Sequence, residues 1–527
     1  MIDTKALRQK VLDLAIRGKL VPQDPNDEPA SVLLERIRQQ KQQMVKEGKL
    51  RPKDIKNDSV IFVGEDNLHY EKFADGSVKC IEDEIPLDLP DGWAWARLTS
   101  ICLKVTDGTH HSPDNFQAGE YKYVTAKNIK LSGVVLDNIT YVSPEVHKEI
   151  FARCNPEFGD ILYIKDGATS GIATVNTLHE EFSLLSSVAL LKPASEVDNW
   201  YVCYAMQSPY FYRTTRGDMK GVGITRITLN MLTSRLIPVP PQNEQQRISI
   251  NTRNLIEIIS NIESDKESII KTASKAKSKI LDLAIHGKLV PQDPNDEPAS
   301  VLLERIRAEK EELIKQGKIK RDKKDSVIFR GEDNSYYLRT GELVESLEDW
   351  DFEELPDSWS VCCLGELCDY GNCTNIDTAD IADSAWILDL EDIEKDYGAV
   401  LQKVRQGERN AGSTKHRFHK GQVLYSKLRP YLNKVVLADE DGYCTSEILP
   451  LEFERNILPQ YAHFFLMSPT FLRYANKCSY GVKMPRLGTT DGKKAIISIP
   501  PIKEQERIVM TIELAFAQLA SITENLT

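Results

Sequence analysis

LDLAIRGKLVPQDPNDEPASVLLERIR, at Leu12–Arg38, returns as LDLAIHGKLVPQDPNDEPASVLLERIR at Leu281–Arg307, with Arg17 against His286 the one difference in 27 positions. A second matched pair, IPVPPQNEQQRI from Ile237 and ISIPPIKEQERI from Ile497, lies elsewhere in the chain. Between the matched segments, over residues 94–234 and 360–494, the two copies share little. One scaffold is written twice and carries two different cargoes. That pattern suits a protein that holds one kind of partner twice and reads two different things.

Downstream of Pro240 and Pro241, the residues Ile248, Leu255, Ile262, Ile269, Ala276 and Leu283 recur every seven positions. Ile259, Ala273 and Ile280 add a second stripe, with Glu, Lys, Asn and Ser between. A sustained heptad predicts a coiled-coil helix, started by the prolines and stopped by Gly287 and Pro291. At about 1.5 Å per residue it spans about 60–70 Å. Superimposing the PPxxEQxRI motifs sets Ile508 over Ile248, Ala515 over Leu255 and Ile522 over Ile262, with Thr527 over position 267. Superimposing the LDLAI motifs sets Leu7 over Ala276 and Leu14 over Leu283, with Met1 over position 270. The two ends of the chain therefore rebuild a second, broken copy of the central helix. The expected fold is α+β: two mixed α/β globules joined by two long antiparallel coiled-coil helices, pseudo-twofold and circularly closed, with the termini close in space. A tandem duplication without symmetry would not explain why the join falls inside a helix.

The expected segments are 1–17 (first part of the split helix), 18–85 (first arm), 86–237 (first globule), 238–287 (central helix), 288–352 (second arm), 353–497 (second globule) and 498–527 (last part of the split helix). In each arm a helix, Ser31–Lys46 or Ser300–Lys315, is expected with Ser at the N-cap after Pro. A Lys- and Asp-rich loop follows, then a strand pair, Tyr70–Ile81 or Tyr336–Glu345, turning at Ala74–Gly76 and Arg339–Gly341. LPDGW at Leu89 and LPDSW at Leu355 mark the way into each globule. Strands are expected at Tyr121–Thr125, Asp160–Ile164, Gly171–Val175 and Ser187–Leu191, and at Ser384–Asp389, Gln422–Tyr425 and Lys434–Ala438. Short helices are expected at Trp200–Gln207 and Gln460–Met467.

A chain of 527 residues, 41% hydrophobic and 28% charged, is too long for one core; three or four domains are the ordinary outcome. No run approaches the roughly 20 apolar residues of a membrane span. The start, MIDTKALRQKVLDLA, reads as an amphipathic helix of mixed charge and not as a signal peptide. Ten cysteines without a secretion signal point to a reduced cytoplasm and buried thiols. A net charge of −12, taken alone, argues against a nucleic-acid partner. Its distribution argues otherwise: Arg409 to Ala438 holds seven Arg and Lys and no acid, and Glu345 to Asp357 holds seven acids and no base. Such segregation permits a local DNA-facing surface on an acidic body.

PVPPQNEQQRI and SIPPIKEQERI closing the two variable regions, DGTHHSP at Asp107, GDILYIKDGATSG at Gly159 and GQVLYSKLRPYLNK at Gly421 carry a family resemblance. Together, in the order variable domain, helix, variable domain, helix, they resemble the specificity subunit of type I restriction-modification systems over nearly the whole chain. The resemblance implies a subunit that catalyses nothing. Two target-recognition domains would each read one half of a split site in double-stranded DNA. The helices would act as a ruler and dock two modification subunits. Those partners bind S-adenosylmethionine and methylate adenine; restriction subunits complete an ATP- and Mg-dependent nuclease. No cofactor is expected in this chain, and no membrane partner. The arms, 18–84 and 287–351, are larger than the minimal family plan, and contact with the partner subunits is their expected role.

Within YSKLRPYLNK, Lys427, Arg429 and Lys434 flank Tyr431, bases interleaved with an aromatic as phosphate contact and base-edge readout require. Lys415 and Arg417 precede them; a solvated surface loop is the plain alternative. The equivalent stretch of the first domain places Lys165, Thr169 and Ser170 in a Gly-rich loop able to offer N–H groups to a phosphate. It is not a P-loop, because the GK[ST] ending is missing, and turn chemistry is its alternative. A basic loop precedes each exit strand: Arg213, Arg216, Lys220 and Arg226 in the first, Arg473, Lys477, Lys483 and Arg486 in the second. The loops match in place and not in sequence, as readers of different bases would; Arg grips guanine edges bidentately and Lys mostly phosphates. Exposed flexible charge is the alternative. Thr109 and His110 of DGTHHSP either touch DNA or shape their loop. Neither the adjacent His110 and His111 nor the group Cys362, Cys363, Cys368 and Cys373 has metal-site spacing. An enzyme reading lacks its motifs: no cofactor glycine loop with an NPPF or DPPY tetrapeptide, and no PD…(D/E)xK cluster. A coiled-coil adaptor that binds only proteins remains as the other alternative.

Overall fold

The computed structural model describes residues 2–217, 226–318, 326–333, 335–347, 355–409 and 412–526. The chain divides into two compact units, Ile2–Asp265 and Lys266–Thr527, the latter with Met1. One helix, Gln242–Ile285, runs from the first into the second. Its 44 residues correspond to a rod of about 66 Å.

The first unit opens with the helix Thr4–Ile16, capped by the Asp3 carboxylate on the Ala6 N–H at 2.8 Å. The arm follows: the helix Ala30–Lys46 and an antiparallel meander of Ser59–Val63, His69–Phe73 and Val78–Cys80. Ala94–Arg97 then pairs with Leu236–Val239, so the entrance and exit of the variable domain are zipped together. Between them stand two sheets. One is antiparallel, in the order Ala173–Val175, Ile161–Ile164, Val188–Pro193, Cys102–Asp107. The other is mixed, with Phe182–Leu184 parallel to Tyr121–Val124 and Thr140–Val142 antiparallel to it. Tyr163, Tyr201, Met206 and Phe211 fill the core beside Ile16, Leu33, Ile37 and Ile248. Those last four come from the matched segments, so the repeat supplies one wall of the domain core.

The second unit repeats this plan. Its arm is the helix Ala299–Lys315 and the meander Ser326–Arg330, Tyr336–Thr340, Leu343–Ser346. Ser360–Cys363 zips to Ile496–Ile499. A sheet of Val435–Leu437, Val423–Ser426 and Ile448–Leu451 faces a mixed five-stranded one in which Trp386–Leu388 runs parallel to Gly442–Thr445. The mixed α/β character expected of both globules is present. The arm helices begin differently from expectation. Pro29 and Pro298 occupy the N-caps, and neither Ser31 nor Ser300 does. The first helical N–H is satisfied instead by a backbone carbonyl of the loop entering the globule, Gly92 for Ala30 and Ser358 for Ala299, at 2.8 Å each.

The matched motifs prove to be parts of one interlocked structure built twice. In the first unit the Trp93 indole donates to Glu244 at 3.0 Å, and Arg247 reaches Asp27 at 2.7 Å. Gln245 accepts the Asp198 N–H and donates to the Pro240 carbonyl, both at 2.9 Å. In the second unit Trp359 donates to Glu504 at 3.1 Å and Arg507 reaches Asp296 at 2.7 Å. There Gln505 accepts the Leu458 N–H at 2.9 Å and donates to the Pro500 carbonyl at 3.1 Å. Gly18 and Gly287 close their helices at φ +63° and +66°, and a Cβ on either would lie 2.5 Å from the ring of Pro90 or Pro356. Only glycine combines that left-handed turn with that approach. This is why GK, PNDEP, LPDxW and PPxxEQxR recur together.

Taken unit by unit, the helix pairing is antiparallel. In the first, Arg8 donates to Ser260 at 3.0 Å and Ile16 joins the cluster of Ile248, so rising numbers on Thr4–Ile16 meet falling numbers on the central helix. In the second, the Ser498 hydroxyl donates to the Ile285 carbonyl at 2.7 Å and the Lys277 ammonium lies 5.3 Å over the Phe516 ring of the helix Ile502–Glu524. The seam departs from a strict heptad. Ile248, Ile259, Ile270 and Leu281 follow each other every eleven residues, buried except for the half-buried Ile270, with the buried Ala273 and Ala284 beside them. An eleven-residue repeat is 3.67 residues per turn, close to a straight helix, so a seven-residue stripe drifts off the face. Ile269 accordingly stands 40% exposed, and Ile522 of the closing helix 50%. Met1 and Thr527, which the alignment brings together, lie outside the described residues.

Candidate nucleic-acid interface

In the first unit, antiparallel pairing of Ile161–Ile164, Val188–Pro193 and Cys102–Asp107 brings three loops to one edge. Asp107, 4% exposed, is their hub. It pairs with Arg153 at 2.5 Å, His110 at 3.2 Å and Lys165 at 3.3 Å. Lys165, expected at the surface, is itself buried, with Asp166 at 3.8 Å as a second anion. Its ammonium serves the fold, because a buried charge is tolerated only when paired. Ser170 is buried too, which removes it from the surface. Thr169 and His110 are outward-facing, His110 58% exposed at its side chain; Thr109 is half-buried, and its hydroxyl accepts the His111 N–H at 3.3 Å. Arg226 donates to Asp166 at 3.0 Å while staying 63% exposed. The helix Pro209–Gly217 buries Phe211 and turns Tyr212, Arg213 and Arg216 outward. Tyr212 lies on Gly171, where a Cβ would come within 2.9 Å of its ring, and the Arg216 guanidinium sits 5.2 Å from the centre of that ring. Lys220 lies outside the described residues.

The second unit has a corresponding edge. The Lys427 N–H donates to the Glu447 carbonyl and its own carbonyl accepts from Leu487; Lys165 does the same with Ser187 and Ile227. The two lysines are therefore equivalent by backbone, yet Lys427 is half-exposed where Lys165 is buried. Arg486 is the counterpart of Arg226, bridged to Leu428 as Arg226 is to Asp166. It grips Glu447 with Nε at 3.0 Å and Nη2 at 2.8 Å, and this holds the Glu447 carboxyl below its usual range. Arg429 and Asn433 adopt left-handed backbone at φ +50° and +48°, bracketing the turn Pro430–Leu432. For an arginine this conformation is uncommon and costs about 1 kcal/mol. Here the Arg429 N–H bond to the Pro485 carbonyl at 2.7 Å compensates, and Tyr431 is thrust out, 47% exposed. Arg473, Lys477, Lys483 and Arg417 are exposed. Two expected contacts are spent inside instead. Lys415 is 4% exposed and bonded to Asp389 at 3.1 Å. Lys434 donates to the Leu390 carbonyl at 2.6 Å, and burial pulls its ammonium pKa down.

Sequence reasoning missed Tyr212, which props Arg216, and Arg153, which donates to Asp107 and Gly108 from a helix end. It missed the apolar residues Tyr480, Val482 and Met484 in the second basic loop. Three large apolar side chains alternating beside Gly481 were the available signal. Among the described residues no helix is long and apolar enough to cross a membrane, and no group of three or more His, Cys, Asp or Glu is placed to hold a metal.

A profile described as the type I restriction modification DNA specificity domain matches residues 90–271 and 356–526, one match over each variable domain and the helix after it. The chain is 30% identical over 428 residues to the type I restriction enzyme EcoAI specificity subunit of Escherichia coli, covering 70% of this chain and 63% of that one. It is 30% identical over 416 residues to the EcoEI specificity subunit of the same species, covering 69% and 61%. It thus spans somewhat under two thirds of the length of these relatives. Among solved structures, the HsdS subunit from Thermoanaerobacter tengcongensis aligns over 84% of this chain and 94% of its own, at 16% identity and a TM-score of 0.39. With two matched domains covering most of its length, the chain belongs to the type I restriction modification DNA specificity family.

Proposed function

We propose that this chain is the non-catalytic, sequence-reading subunit of a type I restriction-modification assembly, working in the cytoplasm on double-stranded DNA. The observation that carries this is the paired edge. In each of two domains of unlike sequence exposed cations, Arg213, Arg216 and Arg226 in the first and Arg473, Lys477 and Lys483 in the second, lie around an equivalent backbone bridge, Asp166–Arg226 and Leu428–Arg486, on a scaffold built twice from the same bonds. Each domain would read one half of a bipartite target. Phosphates would be met by Lys477 and Lys483, and base edges by arginines such as Arg213, Arg216 and Arg473. The duplicated arms and helices would hold two modification subunits, since one surface made twice binds one kind of partner twice. S-adenosylmethionine, ATP and Mg would belong to those modification and restriction partners.

A mobility-shift titration of the full chain, with duplexes selected from a random pool against scrambled ones over a salt series, tests this. The expected result is preference for a sequence of two separated blocks, with affinity falling steeply as salt rises. Equal, salt-insensitive retention of all duplexes would support a protein-only adaptor and overturn the proposal.

A further inference from the structure

Between the helix Pro469–Lys477 and Leu487 the second domain carries a braced hairpin. The Tyr480 N–H donates to the Arg486 carbonyl at 3.1 Å and the Arg486 N–H returns to Tyr480 at 2.9 Å. The base is held twice more, by the Arg429 N–H on the Pro485 carbonyl and by the two-pronged Arg486–Glu447 pair. Gly481, at φ +100°, makes the reversal. On this fixed base the tip is apolar. Val482 is 102% exposed, Tyr480 63% and Met484 47%. Lys483 sits between Val482 and Met484, and Lys477 closes the preceding helix; both are exposed.

Fully exposed, Val482 gains nothing within the unit, since the worth of an apolar group comes from its removal from water. The neighbouring lysines select an anionic partner, and the hairpin leaves the same edge as Arg429 and Tyr431. On duplex DNA the apolar group displayed at a base edge of the major groove is the thymine 5-methyl. Longer side chains can wedge between stacked pairs. Valine is short and stiff at χ1, so it suits contact with a methyl and not insertion. We propose that Val482 is a specificity determinant that reads a thymine methyl group in the half-site of the second domain; this rests on the DNA-reading function proposed above. The counterpart stretch of the first domain, residues 218–225, lies outside the described residues.

The test uses the full chain and the duplex it prefers from a random pool. Each thymine is replaced in turn by deoxyuridine, which deletes the methyl and keeps the pairing. One thymine in the second domain's half-site is expected to show about a four-fold loss of affinity, the worth of one buried methyl group. Val482→Ala is expected to bind the thymine duplex about four-fold more weakly and to ignore that deoxyuridine swap, with an unchanged salt slope. The proposal is overturned if no thymine shows methyl dependence, if the half-site holds none, or if Val482→Ala keeps the full discrimination. Loss of a protein partner by Val482→Ala with methyl discrimination intact would assign the tip to that partner and also overturn it. A chain that prefers no duplex overturns the DNA-reading function as well.

Discussion

Removing Gln505 probes the repeated scaffold at a fully buried side chain. The side chain is 0% exposed. Its amide accepts the Leu458 N–H, at the N-cap of the helix Pro459–Leu466, and donates to the Pro500 carbonyl before the closing helix. Gln505→Ala leaves a buried donor and a buried acceptor without partners. At about 1–3 kcal/mol for each orphaned group the loss is about 2–6 kcal/mol, with about 3 kcal/mol expected if the site relaxes partly. That is a large share of the 5–15 kcal/mol typical of a domain. Gln245→Ala removes the same two bonds in the other unit, from Asp198 and to Pro240, and is expected to cost the same within about 1 kcal/mol. Denaturant titration measures the magnitude, and hydrogen exchange read by mass spectrometry places it. Protection should fall across 457–499 for Gln505→Ala and across 197–239 for Gln245→Ala. A loss below about 0.5 kcal/mol, or exchange unchanged in those segments, would refute the view that the PPxxEQxR repeat exists to make these bonds.

Burial pushes the His463 imidazole from 6.5 down to about 4, so the folded protein refuses a proton that the unfolded chain takes up. Stability should therefore fall as pH drops from 6.5 to 4, by at most about 3 kcal/mol, and His463→Gln should flatten the dependence of the denaturation midpoint on pH. Ile269→Lys and Ile522→Lys should be tolerated within about 0.5 kcal/mol, whereas Ile512→Lys should cost more than about 3 kcal/mol, because Ile512 is 0% exposed; thermal melts of the three variants check this. Lys477→Ala should lower the slope of log affinity against log salt by about 1. Lys415→Ala, which strips Asp389 of a buried partner, should leave that slope alone and lower stability; titration of a selected duplex at several salt concentrations separates the two.

What was legible in the sequence had local causes. Period, proline and glycine set the central helix, and the strands Ile161–Ile164 and Val423–Ser426 fall within a residue or two of their hydrophobic runs. The strand Ser59–Val63 escaped because it follows a Lys- and Asp-rich stretch and pairs only through the register of its meander. The seam of the central helix was misjudged for a geometric reason: over six turns a seven-residue count and a 3.6-residue helix part company. Most of the candidate contact surface was named, but not the direction of each cation. Lys165 and Lys427 have the same backbone bonds, and it is Asp107, delivered by a strand from far upstream, together with Asp166 that holds the first inward. Such a choice is made by tertiary packing and leaves no mark in the local pattern. Position paired Arg226 with Arg486 at the ends of matched loops but could not show the acid each would meet, since Asp166 and Glu447 lie on different segments.

The central claim is that two unlike domains on a doubled scaffold direct modification to a divided DNA target. It is tested most directly by mapping methylated adenines across the genome in cells with this chain and in cells without it. The account predicts a motif of two short defined blocks around a fixed undefined spacer, methylated only when the chain is present. An unchanged methylation map, or loss of a single uninterrupted motif, would contradict it.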